Sequence, residues 1–159
     1  MSLTVRAMRE DEAEAVAGMV RGLARHIGTG VVPALSGPGL LEARDLIDVV
    51  VAEDNGQLLG ACLGLMTYST WRGARGLYIV DLFVEPEARG HNIGLRLLRL
   101  SASRAFARGA RFIKLEVDET NTGAGRFYAR LGFTKKTEDR LHILEQDRFE
   151  ELAATGERA

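Results

Sequence analysis

Apolar residues recur along this chain with two different periods, and each period predicts one type of element. A spacing of three and four positions predicts helices, whereas short alternating or continuous apolar runs predict strands. The predicted helices span Asp11–His26, Leu40–Ile47, Gly94–Gly109, Gly123–Leu131 and Arg148–Ala154. The predicted strands span Leu3–Arg6, Val49–Glu53, Leu58–Tyr68, Leu77–Val84, Phe112–Val117 and Leu141–Leu144.

Segments rich in glycine and polar residues separate these elements. Asp54-Asn55-Gly56 predicts a tight hairpin turn, and Trp71–Arg75 predicts the next turn. The stretch from Gly28 to Gly39 predicts a long irregular loop, of the kind that often shapes a binding site. Strands with interposed helices predict an α/β (α+β) fold, with a mixed sheet covered on both faces. We expect one domain over residues 1–159 and a frayed tail over residues 154–159.

Composition narrows the class of protein. The chain has 159 residues, 46% of them hydrophobic, and a net charge of −1. This charge gives no electrostatic footprint for nucleic acid, and no apolar run of about 18 residues predicts a membrane span. The start of the chain has no signal-peptide pattern. The single cysteine, Cys62, lies in an apolar run, which predicts a buried small side chain and fits a reducing cytoplasm.

An acidic residue interrupts the predicted strand Leu77–Val84. Strict alternation places Asp81 on the face of Ile79 and Phe83, opposite the face of Tyr78. A carboxylate in a strand covered on both sides is costly unless it is paired or lies at a cleft. Two interpretations stay open: an ion pair with a nearby arginine, or a residue of a site in a cleft.

A short loop joins this strand to the following helix. It contains Arg89, Gly90, Asn92 and Gly94. Glycine and asparagine tolerate left-handed backbone conformations, and the first N–H groups of a helix have no partner within it. Since the helix dipole also favours an anion there, the loop predicts a binding place for a phosphate-bearing cofactor. Glycines before a helix are common, so the loop alone is a weak signal.

A second motif follows about thirty residues later. It runs from Asn121 to Phe133 and reads N-T-G-A-G-R-F-Y-A-R-L-G-F, with an N-cap candidate followed by apolar residues at helical spacing. By themselves, these apolar residues at helical spacing are equally typical of a helix that packs on the core. The two motifs follow one another in a fixed order: a strand, R-G-x-x-I-G, a helix, a second strand and N-x-x-A-x-x-F-Y-x-x-L-G-F. This order and spacing resemble the GNAT superfamily of acetyl-CoA-dependent N-acetyltransferases. The segment from Trp71 to Gly94 is most similar to the diamine (polyamine) acetyltransferases.

The resemblance implies an acyl-CoA N-acyltransferase fold, whose sheet is mostly antiparallel. It implies that the strand segment Leu82, Phe83 and Val84 pairs with the pantetheine arm of acetyl-CoA. It also implies that Tyr128 protonates the departing thiolate. The remaining cofactor-binding residues are Arg89, Gly90, His91, Asn92, Ile93 and Gly94, which surround the diphosphate, together with Asn121.

Two positions depart from the family pattern. Asn92 stands where the loop usually has glycine, which adds a side chain near the phosphates. Val80 stands where diamine acetyltransferases have a glutamate that serves as the base. An alkylammonium with a pKa of about 10.4 must lose a proton before it attacks, and at pH 7 this costs about 4–5 kcal/mol. We expect Asp81, acting with water, to take this proton, or the reaction to proceed without a dedicated base.

The sequence therefore predicts an N-acetyltransferase that moves the acetyl group of acetyl-CoA directly to a primary amine of a small cationic substrate. Its catalytic residues are Tyr128 and Asp81, and the three histidines lack the spacing of metal ligands. A non-catalytic acyl-CoA-binding module and an enzyme acting on a peptide or protein amine remain alternatives. By analogy with the family, Leu141–Leu144 can supply the edge of a homodimer.

Overall fold

The computed structural model describes residues 2–154 and Gly156. The predicted frayed tail lies mostly outside these described residues. The strands are β1 Thr4–Ala7, β2 Ile47–Asp54, β3 Gln57–Ser69, β4 Ala74–Val84 and β5 Ala110–Lys114. The helices are α1 Ala13–Ile27, α2 Gly37–Glu42, α3 Ile93–Ala107, α4 Thr122–Arg130 and α5 Gln146–Ala154. One-turn 3₁₀ helices span Glu10–Glu12 and Pro86–Ala88.

The chain forms two compact units, one reaching to Asn121 and one starting at Thr122. The first contains all five strands, in the order β1-β2-β3-β4-β5. Neighbours pair antiparallel except β4 and β5, which are parallel. This is the mixed sheet that the apolar pattern predicts, and it is mostly antiparallel, as the family resemblance implies. The predicted hairpin turn joins β2 to β3, with positive φ at Asn55 and Gly56.

Two helices cover opposite faces of the sheet. Side chains that alternate along β2 and β3 separate into two sets, as the pleat requires. The face under α1 and α2 includes Val49, Val51, Ala61 and Leu63. The face under α3 includes Cys62, whose thiol is bonded to Ser101 of that helix; burial raises the pKa of this thiol to about 11. Cys62 is therefore a buried, unreactive side chain, as its apolar surroundings predict.

A charged network ties the start of the chain to the hairpin. Glu12 is 8% exposed and accepts from Arg6 Nη2 at 2.6 Å and from Arg9 Nη2 at 2.8 Å. Arg6 also bonds Glu53 on β2. The hydrogen bond from Arg6 lowers the pKa of Glu12 to about 2. The network thereby joins β1, β2 and the entry to α1.

Several sequence predictions of helices and strands are wrong. The second helix begins at Gly37 rather than Leu40, because Ser36 caps it and accepts from Gly39 N–H. Ile47 pairs with Leu65 in the sheet instead of ending that helix. Within the described part of the second unit, Leu141–Leu144 forms no strand: its apolar side chains are exposed, and a strand needs a paired neighbour.

Candidate active site

A β-bulge at Val80 decides which side chains of β4 share a face. Ile79 lies opposite Gly64 and Asp81 lies opposite Leu63, so Val80 is one residue too many in the ladder. Directly opposed residues share a face, and Asp81 therefore faces the side that α1 covers. The prediction that Asp81 shares the face of Ile79 is wrong, because one extra residue reverses the alternation beyond it.

The outer edge of β4 is unpaired beyond this bulge. β5 pairs with β4 only from Arg75 to Tyr78, and β5 ends at Lys114. The strand therefore ends before Val117, where the sequence predicts its end. A bulge bends its strand and increases the local twist, and the pairing of β4 with β5 stops at Tyr78, two residues before the bulge. Among the described residues, no strand pairs with the β5 side of β4 from Ile79 to Val84.

The backbone of this unpaired segment presents hydrogen-bonding groups to the open side. Glu85 N–H donates to Leu59 O at 2.9 Å, which makes the neighbouring pair of Val84 and Gly60 the non-hydrogen-bonded type. The N–H and C=O of Val84 thus turn away from β3. By the same alternation those of Leu82 also turn away, whereas those of Phe83 face β3. Two of the three predicted pantetheine-binding residues therefore have the orientation that a bound arm needs.

Asp81 is a half-buried carboxylate without a counter-ion. It makes no hydrogen bond or ion pair with any residue that the structure describes. Burial raises the pKa of its carboxyl group, because desolvation disfavours the charged form. Of the two interpretations left open by the sequence, the arginine pair is wrong. A carboxylate with a raised pKa is better suited to hold a proton taken from an amine.

Three polar side chains beside the end of the β4–β5 pairing were not predicted as site residues: Tyr78, Lys114 and Glu116. The phenol of Tyr78 is bonded to Glu116, and burial together with the charge of Glu116 raises the pKa of that phenol. Lys114 Nζ lies 5.3 Å from the centroid of the Tyr78 ring. The signal that would have found them is a parallel register that pairs Tyr78 with Lys114. With Asp81, they form a polar group on the α1 side of the point where the strands diverge.

The loop after β4 has a left-handed backbone at two positions. Gly90 has φ +86° and Asn92 has φ +58°. Asparagine is the side chain that best tolerates this region, so Asn92 preserves the loop shape despite replacing glycine. Ala88 and Ile93 are 5% and 2% exposed and anchor the two ends of the loop in the core.

The start of α3 has the features of an anion-binding site. Asn92 is the N-cap residue, yet its side chain makes no capping bond. The first intrahelical bond runs from Arg96 N–H to Asn92 O, so the amides of residues 93 to 95 precede the regular helical pattern. With the positive end of the helix dipole beside them, these amides fit a diphosphate. The residues present therefore suit the nucleotide part of acetyl-CoA.

Two basic side chains flank this helix start. His91 Nδ1 donates to Ala88 O at 3.2 Å, which ties the ring to its own loop. Arg89 Nε donates to Val84 O at 3.2 Å. Arg89 therefore connects the end of β4 to the loop, with its exposed guanidinium at the open edge of the strand.

Asn121 and Tyr128 lie further along the chain. Asn121 is the last residue of the first unit, and its N–H donates to Asp118 O at 2.9 Å. Tyr128 belongs to α4 in the second unit, where its ring makes edge contacts with Phe127 at 5.1 Å and Phe133 at 5.3 Å between centroids. Both are half-buried. The roles that the resemblance implies for these two residues stay predictions.

The part of the chain that the structure describes contains no group of His, Cys, Asp and Glu side chains arranged for a metal ion. None of its helices combines the length and the apolar character that spanning a bilayer requires.

Comparison with known proteins places these features in a family. The sequence model described as "Acetyltransferase (GNAT) family" matches residues 34–133, which include β4, the loop, α3 and Tyr128. A solved structure, an integron cassette protein from the mobile metagenome of V. cholerae, is similar in fold. It has a TM-score of 0.77 and 22% identity over 98% of this chain and 99% of that one.

Two curated relatives carry names that state an activity. The thialysine N-epsilon-acetyltransferase of Bos taurus is 36% identical over 81 residues, or 51% of this chain and 47% of its own. The L-methionine sulfoximine/L-methionine sulfone acetyltransferase of Pseudomonas paraeruginosa is 31% identical over 94 residues, or 57% of this chain and 53% of its own. The chain thus spans about half the length of the curated relatives it matches.

Proposed function

Because this chain belongs to the acetyltransferase (GNAT) family, we propose that it transfers the acetyl group of acetyl-CoA directly to a primary amine of a small substrate. One observation carries the proposal. The unpaired edge of β4 leads through the loop of residues 85–92 to the uncapped start of α3, so the strand edge offers donors to an extended arm and the helix start offers donors to a diphosphate. The family match crosses from the first unit into the second, which supports a single catalytic domain over residues 1–159.

The strand edge binds the arm and polarises the thioester. The backbone N–H groups of Val84 and Leu82 face the open side. There they donate hydrogen bonds to the pantetheine arm and to the carbonyl oxygen of the thioester. Charge develops on that oxygen as the amine attacks, and a fixed backbone donor lowers the cost of this charge. Phe83 contributes its side chain to the core under α1 instead.

Asp81 takes the proton of the attacking amine, directly or through a water molecule. It has no counter-ion among the described residues, and its raised pKa brings it closer to the range useful for a base near neutral pH. Glu116 lies on the same side of the diverging strands, and the two carboxylates favour a cationic amine. They stand in place of the glutamate that is missing at Val80.

Tyr128 supplies the proton to the departing thiolate. A coenzyme A thiolate is a better leaving group when a positioned acid protonates it, and such an acid is typically worth about 10²–10⁴ in rate. The order and spacing of the two motifs along the chain support this role.

The names of the relatives and the acidic side chains support the proposed substrate class. Both named relatives have amino-acid-like amines in their names, which supports a small amine with a side chain of similar length. A diamine has the same primary amine and fits the likeness to the diamine acetyltransferases. We further propose a cytoplasmic enzyme that forms a homodimer.

The test is a thiol-release assay with acetyl-CoA and a panel of amines: diamines, thialysine, lysine, methionine sulfone, an aminoglycoside and a short peptide with a free N-terminus. We expect turnover with a small amine. Tyr128→Phe should lower kcat by about 10²-fold with little change in KM for acetyl-CoA. Tyr68→Phe, which removes an exposed phenol of β3, is the matched control and should leave the rate unchanged.

Two results would refute the proposal. Acetyl-CoA at a concentration of about 100 times an assumed Kd should stabilise the folded chain by about 2.7 kcal/mol. If it fails to raise the melting temperature, the chain lacks the cosubstrate site. If acetyl-CoA binds but no amine is acetylated, the chain is an acyl-CoA-binding module. Preference for the peptide over every small amine would move the enzyme to the protein-acetylating class.

A further inference from the structure

We infer that His26, at the end of α1, positions the guanidinium of Arg89 to bind a phosphate group of acetyl-CoA. The inference rests on the proposed function, because Arg89 matters only if the loop binds a diphosphate. It adds a residue 63 positions away in the sequence, on an element that the two family motifs do not include.

Gly22 on α1 lies where this helix packs against β4. A Cβ atom placed on Gly22 would lie 3.3 Å from Phe83 Cζ, which is a tight contact, so glycine at this position favours close packing of α1 on the Phe83 side chain of β4. His26 follows Gly22 by one helical turn, and residues four apart share a helix face. The end of α1 thereby brings the imidazole to the end of β4, where the loop begins.

Arg89 is fixed from two directions. Its Nε donates to Val84 O at 3.2 Å, and its Nη1 lies 3.5 Å from His26 Nε2. A guanidinium has donors only, so Arg89 is the donor of this contact and the ring nitrogen of His26 is the acceptor. No carboxylate among the described residues forms an ion pair with Arg89.

This arrangement leaves Arg89 with unused charge. A carbonyl oxygen and a ring nitrogen orient the guanidinium without cancelling its charge, whereas an ion pair with a carboxylate would cancel it. The Nη2 group of Arg89 has no partner among the residues that the structure describes. A phosphate can therefore accept from it, and an oriented guanidinium loses less side-chain freedom on binding than a mobile one. His26 thus acts through Arg89, as a positioning residue.

A double-mutant cycle tests this inference. Coenzyme A binding is measured by calorimetry for the wild type, His26→Ala, Arg89→Ala and the double variant. We expect His26→Ala to weaken binding by about 3- to 10-fold in the wild-type background and to have no effect once Arg89 is alanine, since interacting residues are not additive. His26→Gln, whose amide oxygen accepts a similar bond, should recover most of the affinity.

Steady-state kinetics give a second readout. His26→Ala should raise KM for acetyl-CoA and leave kcat unchanged, and it should leave KM for acetyl-pantetheine, which has no phosphate, unchanged. Arg25→Ala removes the adjacent basic side chain of the same helical turn and is the matched control. Equal effects of His26→Ala with and without Arg89, or an equal rise in KM for acetyl-pantetheine, would overturn the inference. Failure of the wild type to bind coenzyme A would instead refute the proposed function itself.

Discussion

At the scale of single residues, Asp81 illustrates a conflict between stability and activity. Its carboxylate is half-buried, lacks a counter-ion among the described residues and has a pKa raised by burial. Because the folded state binds this proton more tightly than the unfolded state, the stability that Asp81 provides falls as pH rises through the interval between its ordinary pKa and its raised one. A charged Asp81 at neutral pH therefore destabilises the fold.

We predict that Asp81→Asn raises the free energy of unfolding at pH 7 and lowers kcat of amine acetylation. The gain in stability should disappear below the ordinary aspartate pKa of 3.8, where the wild-type side chain is also neutral. Urea unfolding at several pH values measures the first effect, and thiol release measures the second. Asp45→Asn, at an exposed position, is the control. A variant that is less stable at pH 7 would show that Asp81 has a stabilising partner.

The sequence revealed which residues at this site bear chemistry but not which way they face. Asp81 stands out in an apolar run, and Gly90 and Asn92 predict the left-handed loop that the structure contains. The orientation of Asp81 depends on the extra residue at Val80, and nothing in an apolar run distinguishes a bulged residue from a paired one. The contact of His26 with Arg89 could not be predicted for a similar reason, since it depends on how α1 packs against the sheet.

At the scale of elements, the bulge in β4 is the feature that creates the unpaired edge. Without it, β4 would continue alongside β5, and the ladder would use the backbone groups that we assign to the pantetheine arm. The apolar runs predicted that these strands exist. They did not predict where β5 ends, because β5 ends at Lys114 where its pairing ends and not where its apolar residues end.

We predict that deletion of Val80 abolishes coenzyme A binding while the sheet still folds. The deletion places Ile79 next to Asp81, and these residues already lie opposite the adjacent residues Gly64 and Leu63. The ladder then becomes regular and the bend is lost. Val80→Ala keeps the chain length and is the control that should bind normally. Calorimetry measures binding, and circular dichroism verifies folding; normal binding by the deletion variant would show that the bulge does not create the site.

The network at the start of the chain gives a second prediction at this scale. Glu12 has a folded-state pKa lowered from 4.5 to about 2 by the hydrogen bond from Arg6. Its contribution to stability is fully present above pH 5 and is lost as pH falls toward 2. We expect Glu12→Gln to lower the free energy of unfolding by about 2–3 kcal/mol at pH 7.

That loss should shrink steadily between pH 5 and 2, as urea unfolding of the variant and the wild type can measure. Glu10→Gln removes a carboxylate whose contact with Arg44, at 3.8 Å, is exposed, and it should change stability by less than about 1 kcal/mol. A difference for Glu12→Gln that does not depend on pH would assign its effect to packing rather than to charge.

At the scale of the whole molecule, the two units differ in how fully they bury their apolar residues. The first encloses a core on each face of its sheet. The described residues of the second unit include no buried hydrophobic side chain, and their exposed large apolar side chains are Leu131, Leu141, Ile143, Leu144, Phe149 and Leu152. Exposed apolar surface of this kind is typical of an interaction site, which agrees with the homodimer that we propose.

We predict that the chain has twice its monomer mass in solution, measured by light scattering after size-exclusion chromatography. Ile143, at 65% exposure, lies at the centre of the run Leu141–Leu144, so Ile143→Asp should introduce a charge into the interface and shift the mass to that of one chain. Val31→Asp changes a residue of similar exposure, 70%, in the loop of the first unit, and should leave the mass unchanged. A monomeric wild type at every concentration, or a dimer that tolerates Ile143→Asp, would place the interface elsewhere or exclude it.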